Sequence, residues 1–235
     1  MEESVTIYKK MIIWDFDGTI ADSSKDVWTS LYYAAEKMGG KIRDNFSADD
    51  QNLSLDIKDI YQEIFPDESM KKLQLFSDLV SVHYRQMNPF EKTIPYKGIK
   101  DTVTYLKAIG YRQFIATMKP KEPLEKIVKQ WGWMNFFDGI ITSDFYPDRE
   151  LSKKEMIGLL LTHYSLSAED CLIVGDSSSD IYAAKHYGIF SIGVAYGDGN
   201  TERLKKSNPN ILLKSSAEIE VYFKGGLNDA GKFRN

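Results

Sequence analysis

The sequence predicts an α/β fold built on a parallel sheet, with a helical insert after the first strand. Three observations predict it. From Gly98 onward, short apolar runs alternate with helix-period stretches of about ten to fifteen residues, the pattern of repeated βαβ units. The first apolar run, ahead of that region, and one of the later runs each end in an acid followed by turn residues. Between the first run and the alternating part, roughly seventy residues keep helical spacing without a convincing strand.

Taken in order, Ile12-Ile13-Trp14 is the first strand, and it leads into Asp15-Phe16-Asp17-Gly18-Thr19-Ile20. In an open α/β sheet, ligands sit outside the carboxyl ends of the strands, so Asp15 and Asp17 emerge where chemistry is done. Two acids that close repel when both ionise, which invites a bound cation or a shared proton. For a bare Asp-x-Asp the alternative is an Asx turn at a strand end. Next, Val27, Leu31, Ala34, Ala35 and Met38 recur at three- and four-residue spacing, and Gly39-Gly40 stops that helix. Further helices are expected over residues 55–65 and 66–87, the second opening on Pro66, a favoured first-turn residue. Asn88-Pro89 and Ile94-Pro95-Tyr96-Lys97-Gly98 read as the return linker. The alternation then places helices at 99–109, 120–130, 153–164 and 180–187, and strands at 113–117, 137–142, 170–176, 191–194 and 210–213.

Composition narrows the class. At 235 residues the chain exceeds the usual ~150 per domain, so a core plus an insert is expected. Its 43% hydrophobic and 27% charged residues suit a soluble globular protein with ample core material. A net charge of −4 supplies no basic field for a nucleic-acid backbone. Met1-Glu2-Glu3-Ser4 is acidic with no long apolar region behind it, so no secretory signal is expected. No run approaches the ~18 apolar residues of a membrane span. The single cysteine, Cys171, lies in an apolar run and is read as a buried small hydrophobe. It allows no disulfide framework within one chain, so a cytoplasmic location is expected.

Asp15/Asp17, Thr117, the segment leading to Lys153, and Asp176/Asp180 each follow a predicted strand, and the carboxyl ends of parallel strands share one edge. That order resembles the haloacid dehalogenase-like (HAD) phosphohydrolase superfamily over residues 11–223. Asp15-Phe16-Asp17-Gly18-Thr19 matches the family's Asp-x-Asp-Gly-Thr, and Thr117 stands at the family's strand-end Thr or Ser. Gly175-Asp176-Ser177-Ser178-Ser179-Asp180 matches Gly-Asp-x-x-x-Asp, and a lysine heads the preceding helix. The position of the insert resembles the helical-cap subfamily. Pro95-Tyr96-Lys97-Gly98 and the stretch from Ser191 to Gly197 look most like the phosphoglycolate phosphatases.

The resemblance implies a Rossmann-like three-layer core with a parallel sheet, made of residues 1–22 and 94–224, an inserted α-helical cap domain over 23–93, and a flexible tail over 225–235. It implies a Mg²⁺-dependent phosphatase that hydrolyses a small phosphorylated metabolite through an aspartyl-phosphate. Asp15 would be the nucleophile, and Asp17 the acid that protonates the leaving alkoxide and later deprotonates water. Thr117 would bind a phosphate oxygen, and Lys153 would neutralise charge shared by nucleophile and phosphoryl group. Mg²⁺ would take a carboxylate oxygen of Asp15, the backbone carbonyl of Asp17 and the carboxylate of Asp176, with Asp180 holding a water or orienting a neighbour. The partner would be a small-molecule phosphate ester, not nucleic acid or membrane, and the chain a monomer or homodimer.

Several positions stay open on sequence alone. Lys153 fits a Lys-x-Glu-x-Ile variant of the lysine signature, with Lys154 as fallback. Lys119 matches a common family lysine or is a surface charge, and Met118 replaces a frequent Ser or Asn. Gly197-Asp198-Gly199 is expected to be a turn. His83, His163 and His186 lie in predicted helices without a partner at metal-ligand spacing, so they are read as structural or solvated. Trp28, Tyr32, Tyr33, Tyr61 and Phe65 are expected to be mostly core, with one or two lining the substrate pocket. Arg85 and Lys25 are candidate cap contacts. A phosphomutase of the same fold and a non-catalytic binding module are the alternatives. Phosphoglycolate, a nucleoside monophosphate, pyrophosphate and a sugar phosphate all fit as substrate.

Overall fold

The computed structural model describes residues 11–66 and 70–226. Residues 1–10, 67–69 and 227–235, and with them the ends of the expected core and tail, lie outside the described residues. Six strands form one parallel sheet in the order β5-β4-β1-β6-β7-β8. They are β1 (Met11–Trp14), β4 (Arg112–Thr117), β5 (Gly139–Thr142), β6 (Cys171–Gly175), β7 (Phe190–Val194) and β8 (Ile211–Leu213). A separate antiparallel pair, β2 (Ala21–Asp22) and β3 (Ile94–Pro95), joins the two ends of the insert.

β1 sits centrally because it is apolar on both faces. Ile12 and Trp14 point to one side and Ile13 to the other, the period-2 alternation of a strand, and all three are buried. On the first side they meet α5 (Ile99–Ala108), α6 (Lys121–Gln130) and α10 (Ser216–Gly226) through Val103, Leu106, Leu124, Ile127, Ile219 and Phe223. On the second side Ile13, Phe114 and Ile173 pack against α7 (Lys153–His163) and α8 (Ser178–His186) through Ile157, Leu160 and Ala184. Helix, sheet and helix thus make three layers. Each fully buried Ile or Leu contributes about 1.5–3 kcal/mol relative to exposure, so the two apolar faces hold β1 in place.

The insert carries its own apolar cluster. Trp28, Leu31 and Ala35 of α1 (Ser24–Lys37) meet Ile60 and Tyr61 of α3 (Ile57–Ile64) and Phe76 of α4 (Leu73–Val82). The structure departs here from the sequence expectation. The helix expected over 66–87 is a 3₁₀ turn at Met70–Lys72, then α4, then a π-helical stretch at His83–Met87. The short α2 (Asp44–Ser47) and a 3₁₀ turn at Asp50–Ser54 were not expected; the Asp49 side chain caps the turn by accepting from Gln51 N. Tyr32, expected in the core, is exposed and donates to Ser47 Oγ at 2.7 Å.

Two further helices escape periodicity, α9 (Thr201–Lys206) and α10. α10 buries only Ile219 and Phe223, four residues apart, so its apolar stripe is too thin to read. It runs through Gly225 and Gly226, and the rest of the tail expected over 225–235 lies outside the described residues. Among the described residues no helix is long and apolar enough to cross a membrane.

Candidate active site

The carboxyl ends of β1, β4 and β6 are neighbours because β1 pairs in parallel with both other strands. Trp14 lies level with Ile115 and Val174, so the residues just beyond them, Asp15, Thr117 and Asp176, emerge on one edge. Asp15 N donates to Val174 O at 2.9 Å, which carries the strand pairing up to the acid itself. The turn after it needs Gly18, whose φ is +71°. A Cβ there would also sit 2.0 Å from Asp176 Oδ2, so this loop and the β6 acid can approach only across a glycine.

The lysine comes from the head of α7. Ser152 and Glu155 form a capping box: Ser152 Oγ accepts from Glu155 N, and Glu155 Oε2 accepts from Ser152 N at 2.8 Å. That cap starts the helix at Lys153 and sends its side chain inward. Lys153 Nζ lies 2.7 Å from Asp15 Oδ1 and 2.9 Å from Asp180 Oδ1, and donates to Ala116 O at 2.8 Å. Lys154 is exposed, so of the two candidates only Lys153 meets the acids.

Asp15, Asp176 and Asp180 are all buried, with carboxylate oxygens within 4.8 Å of one another. Lys153 pairs with Asp15 and Asp180, while Asp176 stands beside them without an ion pair to it. Burial pushes Asp15 up to about 7, with Lys153 opposing the rise and Asp180 adding to it. Asp176 is also raised, first by burial and then by Asp15 and Asp180. For Lys153, burial favours the neutral form, but Asp15 and Asp180 outweigh it and hold the lysine above its ordinary value. A buried, all-oxygen donor set with excess negative charge fits a hard dication. Asp180 is otherwise occupied in the turn, where Oδ2 accepts from Ser177 N at 3.1 Å and from Ser177 Oγ at 2.5 Å.

Asp17 faces elsewhere. Its Oδ1 accepts from Lys119 Nζ at 2.8 Å and from Ser23 Oγ at 2.5 Å, and its carboxylate is not part of the three-acid cluster. Thr117 is buried, and its Oγ1 accepts from Lys119 N at 3.1 Å. Lys119 is wholly buried rather than a surface charge.

Asp15, Asp17, Lys153 and Asp176 open into a cleft of about 300 Å³, which Asp180, Thr117 and Lys119 do not line. The core supplies Asp15, Asp17, Lys153, Asp176 and Met118, and the insert supplies Val27, Leu53 and Ser54. The Gly197-Asp198-Gly199 turn does more than reverse the chain. Gly199 N donates to Asp176 Oδ2 at 2.7 Å, and Asp198 lines the cleft. Burial pushes Asp198 up to about 7, helped by Asp22, Asp17 and Asp50. Sequence reasoning missed this contact, and the two glycines around one acid were its only signal.

The remaining candidates lie away from the cleft. Arg85 pairs with Asp144 at 2.7 Å, and Lys25 is exposed. His83 Nδ1 lies 2.9 Å from Ser30 Oγ, while His163 and His186 are exposed. Trp28 donates to Asp50 Oδ1 at 2.7 Å, and Tyr61 and Phe65 are buried in the insert's cluster.

Comparison with known proteins gives a consistent picture. A sequence model of haloacid dehalogenase-like hydrolases matches residues 12–194. A phosphoglycolate phosphatase from Vibrio parahaemolyticus is 28% identical over 221 residues, which cover 89% of this chain and 94% of the relative. A 5'-nucleotidase from Pseudomonas aeruginosa is 25% identical, covering 88% and 92%. Among solved structures, a Clostridium difficile protein provisionally designated a phosphatase superposes with a TM-score of 0.81 at 25% identity, covering 91% of this chain and 98% of that one.

Proposed function

This chain belongs to the haloacid dehalogenase-like hydrolases, and from that premise we propose how its residues divide the work of a phosphatase. It is a phosphoric monoester hydrolase acting on small phosphate esters. One observation carries the assignment of roles: Lys153 bridges Asp15 and Asp180 beside Asp176, and Asp15, Lys153 and Asp176 line the cleft.

In the first step an oxygen of Asp15 attacks phosphorus. The new Asp15–phosphorus bond forms as the ester P–O bond breaks, and Asp17 gives its proton to the departing alkoxide. In the second step water attacks the same phosphorus, the acyl-phosphate P–O bond breaks, and Asp17 recovers a proton from the water. Lys153 offsets charge on the nucleophile and phosphoryl oxygens, and the Thr117 hydroxyl orients one of those oxygens. Little covalent work falls to the protein in phosphoryl transfer, so positioning and charge neutralisation supply most of the rate. Mg²⁺ is the proposed cofactor, held by the carboxylates of Asp15 and Asp176 and the carbonyl of Asp17, with Asp180 as a supporting acid. When bound it adds positive charge against the phosphate oxygens.

We further assign residues 23–93 to a cap domain that closes the cleft, residues 1–22 and 94–224 to the catalytic core, and the protein to the cytoplasm. Phosphoglycolate is the first substrate candidate and a nucleoside monophosphate the second, following the Vibrio and Pseudomonas relatives. The test is phosphate release from a panel of esters with Mg²⁺, ranked by kcat/KM, for the wild type and Asp15→Asn. Release by the wild type and none by the variant supports the assignment. Equal rates for the two would remove Asp15 from the reaction.

A further inference from the structure

The pair Lys119–Asp17 has a third member that comes from the insert. Lys119 Nζ donates to Asp17 Oδ1 and hydrogen-bonds the Tyr84 hydroxyl, which stands on the π-helical stretch after α4. The lysine side chain has no solvent exposure. The rings of Tyr84, Phe16 and Phe90 wall its ammonium, with centroids at 5.1, 5.7 and 5.9 Å. Unlike Lys153 it does not line the cleft, so its charge is directed at Asp17 and not at a substrate.

The geometry at Asp17 shows what that charge does. Both donors, Lys119 Nζ and Ser23 Oγ, fall on Oδ1. Oδ2 takes no hydrogen bond among the described residues, and the side chain is 34% exposed where it lines the cleft. Two donors on one oxygen fix the carboxylate plane and leave the other oxygen for proton transfer.

We propose that Lys119 is a positioning residue for Asp17, and that Tyr84 locks Lys119 from the helical insert, so that docking of the insert aims the proton-transfer oxygen at the leaving group. The inference rests on the reading of Asp17 as general acid given above. A general acid matters in proportion to the basicity of the leaving group. An alkoxide needs the proton, whereas a nitrophenolate leaves without it.

The test compares the first turnover of an alkyl phosphate and of p-nitrophenyl phosphate by rapid quench, with Mg²⁺, in the wild type, Lys119→Met, Lys119→Arg and Tyr84→Phe. General acid catalysis is worth about 10²–10⁴-fold, so Lys119→Met should slow the alkyl ester about 100-fold and leave the nitrophenol burst within about threefold. Lys119→Arg should recover part of the alkyl rate, because it restores a cation beside Oδ1. Loss of one hydrogen bond in Tyr84→Phe should slow the alkyl ester up to about tenfold with the same selectivity. Equal losses for the two esters would overturn the proposal, since a damaged fold or a lost phosphate contact slows both alike. Should Lys119→Met fail to fold by thermal melting, Tyr84→Phe decides alone, and an unchanged alkyl rate overturns the proposal. A wild type that releases phosphate from neither ester removes the phosphatase reading itself, and the inference falls with it.

Discussion

Asp15 and Asp17 lie two residues apart on the same strand end, yet their surroundings differ in charge balance. Around Asp15, three buried carboxylates cluster and Lys153 pairs with two of them, Asp15 and Asp180. Around Asp17, one carboxylate meets one ammonium, Lys119, and is partly open to the cleft. The Asp15 cluster sets three acids against Lys153, whereas Asp17 is paired directly with Lys119 even with Asp198 lining the same cleft. A cation therefore has reason to bind at Asp15, while Asp17 can act on protons without one. In the proposed mechanism the two acids divide the work because their partners differ.

The largest way to break that contrast is to remove Lys153. Lys153→Met leaves three acids with no cation in a buried site, where stranding charge costs about 3–5 kcal/mol. Activity should fall by at least ~10³-fold, beyond the typical loss of one charge-stabilising donor. Steady-state kcat and thermal melting would check both, and wild-type-like values for either would refute the description of the cluster.

Mg²⁺ titration sharpens the comparison. A ligand at about 100 times its dissociation constant stabilises the native state by about 2.7 kcal/mol. For a domain of this size that is a rise of roughly 5–10 °C in Tm. Asp176→Asn should abolish most of the rise, and Asp17→Asn should keep most of it, since only the Asp17 carbonyl is assigned to the ion. Loss of the shift in both would mean that the two regions are one.

Gly18→Ala tests the approach between the loop and β6. A Cβ 2.0 Å from Asp176 Oδ2, on backbone at φ +71°, should destabilise by about 1–3 kcal/mol and weaken the Mg²⁺ response. A variant with unchanged Tm would show that this contact is not needed.

The smallest effect concerns the cap that places Lys153. Ser152 N and its hydroxyl, then Arg149, hold Glu155 at about 2, below its ordinary 4.5. A depressed carboxylate stabilises above its unfolded value, and that stability is lost as pH falls through the folded value. The Tm gap between wild type and Glu155→Gln should hold steady above about pH 5 and close between 4.5 and 2. A gap that widens on acidification would contradict the cap.

Much of this was legible in the sequence where a strand ends in a distinctive turn. Asp15-x-Asp17-Gly18 and Gly175-Asp176-x-x-x-Asp180 announce themselves because strand end, glycine and acid are local features. The choice between Lys153 and Lys154 also has a local mark, the Ser152-x-x-Glu155 capping box that starts the helix at Lys153. The Lys119–Asp17–Tyr84 set has none. Its members lie 102 and 35 residues apart, and only packing of the insert against the core joins them. The grip of Gly199 on Asp176 was hidden for the same reason, since a backbone N–H leaves no mark in residue type. In the insert, short 3₁₀ and π turns replaced a long helix, because local hydrogen bonds at helix ends do not follow the 3.6-residue period.

The account stands most directly on which acid carries the phosphoryl group. Asp17→Asn, mixed with p-nitrophenyl phosphate and Mg²⁺ and quenched in acid, should accumulate a phosphoryl adduct, because the first step needs no proton and the second has lost its base. Fragmentation mass spectrometry of the peptide spanning β1 should locate that adduct on Asp15. An adduct on any other residue, or nitrophenol release with no adduct and undiminished turnover, would contradict it.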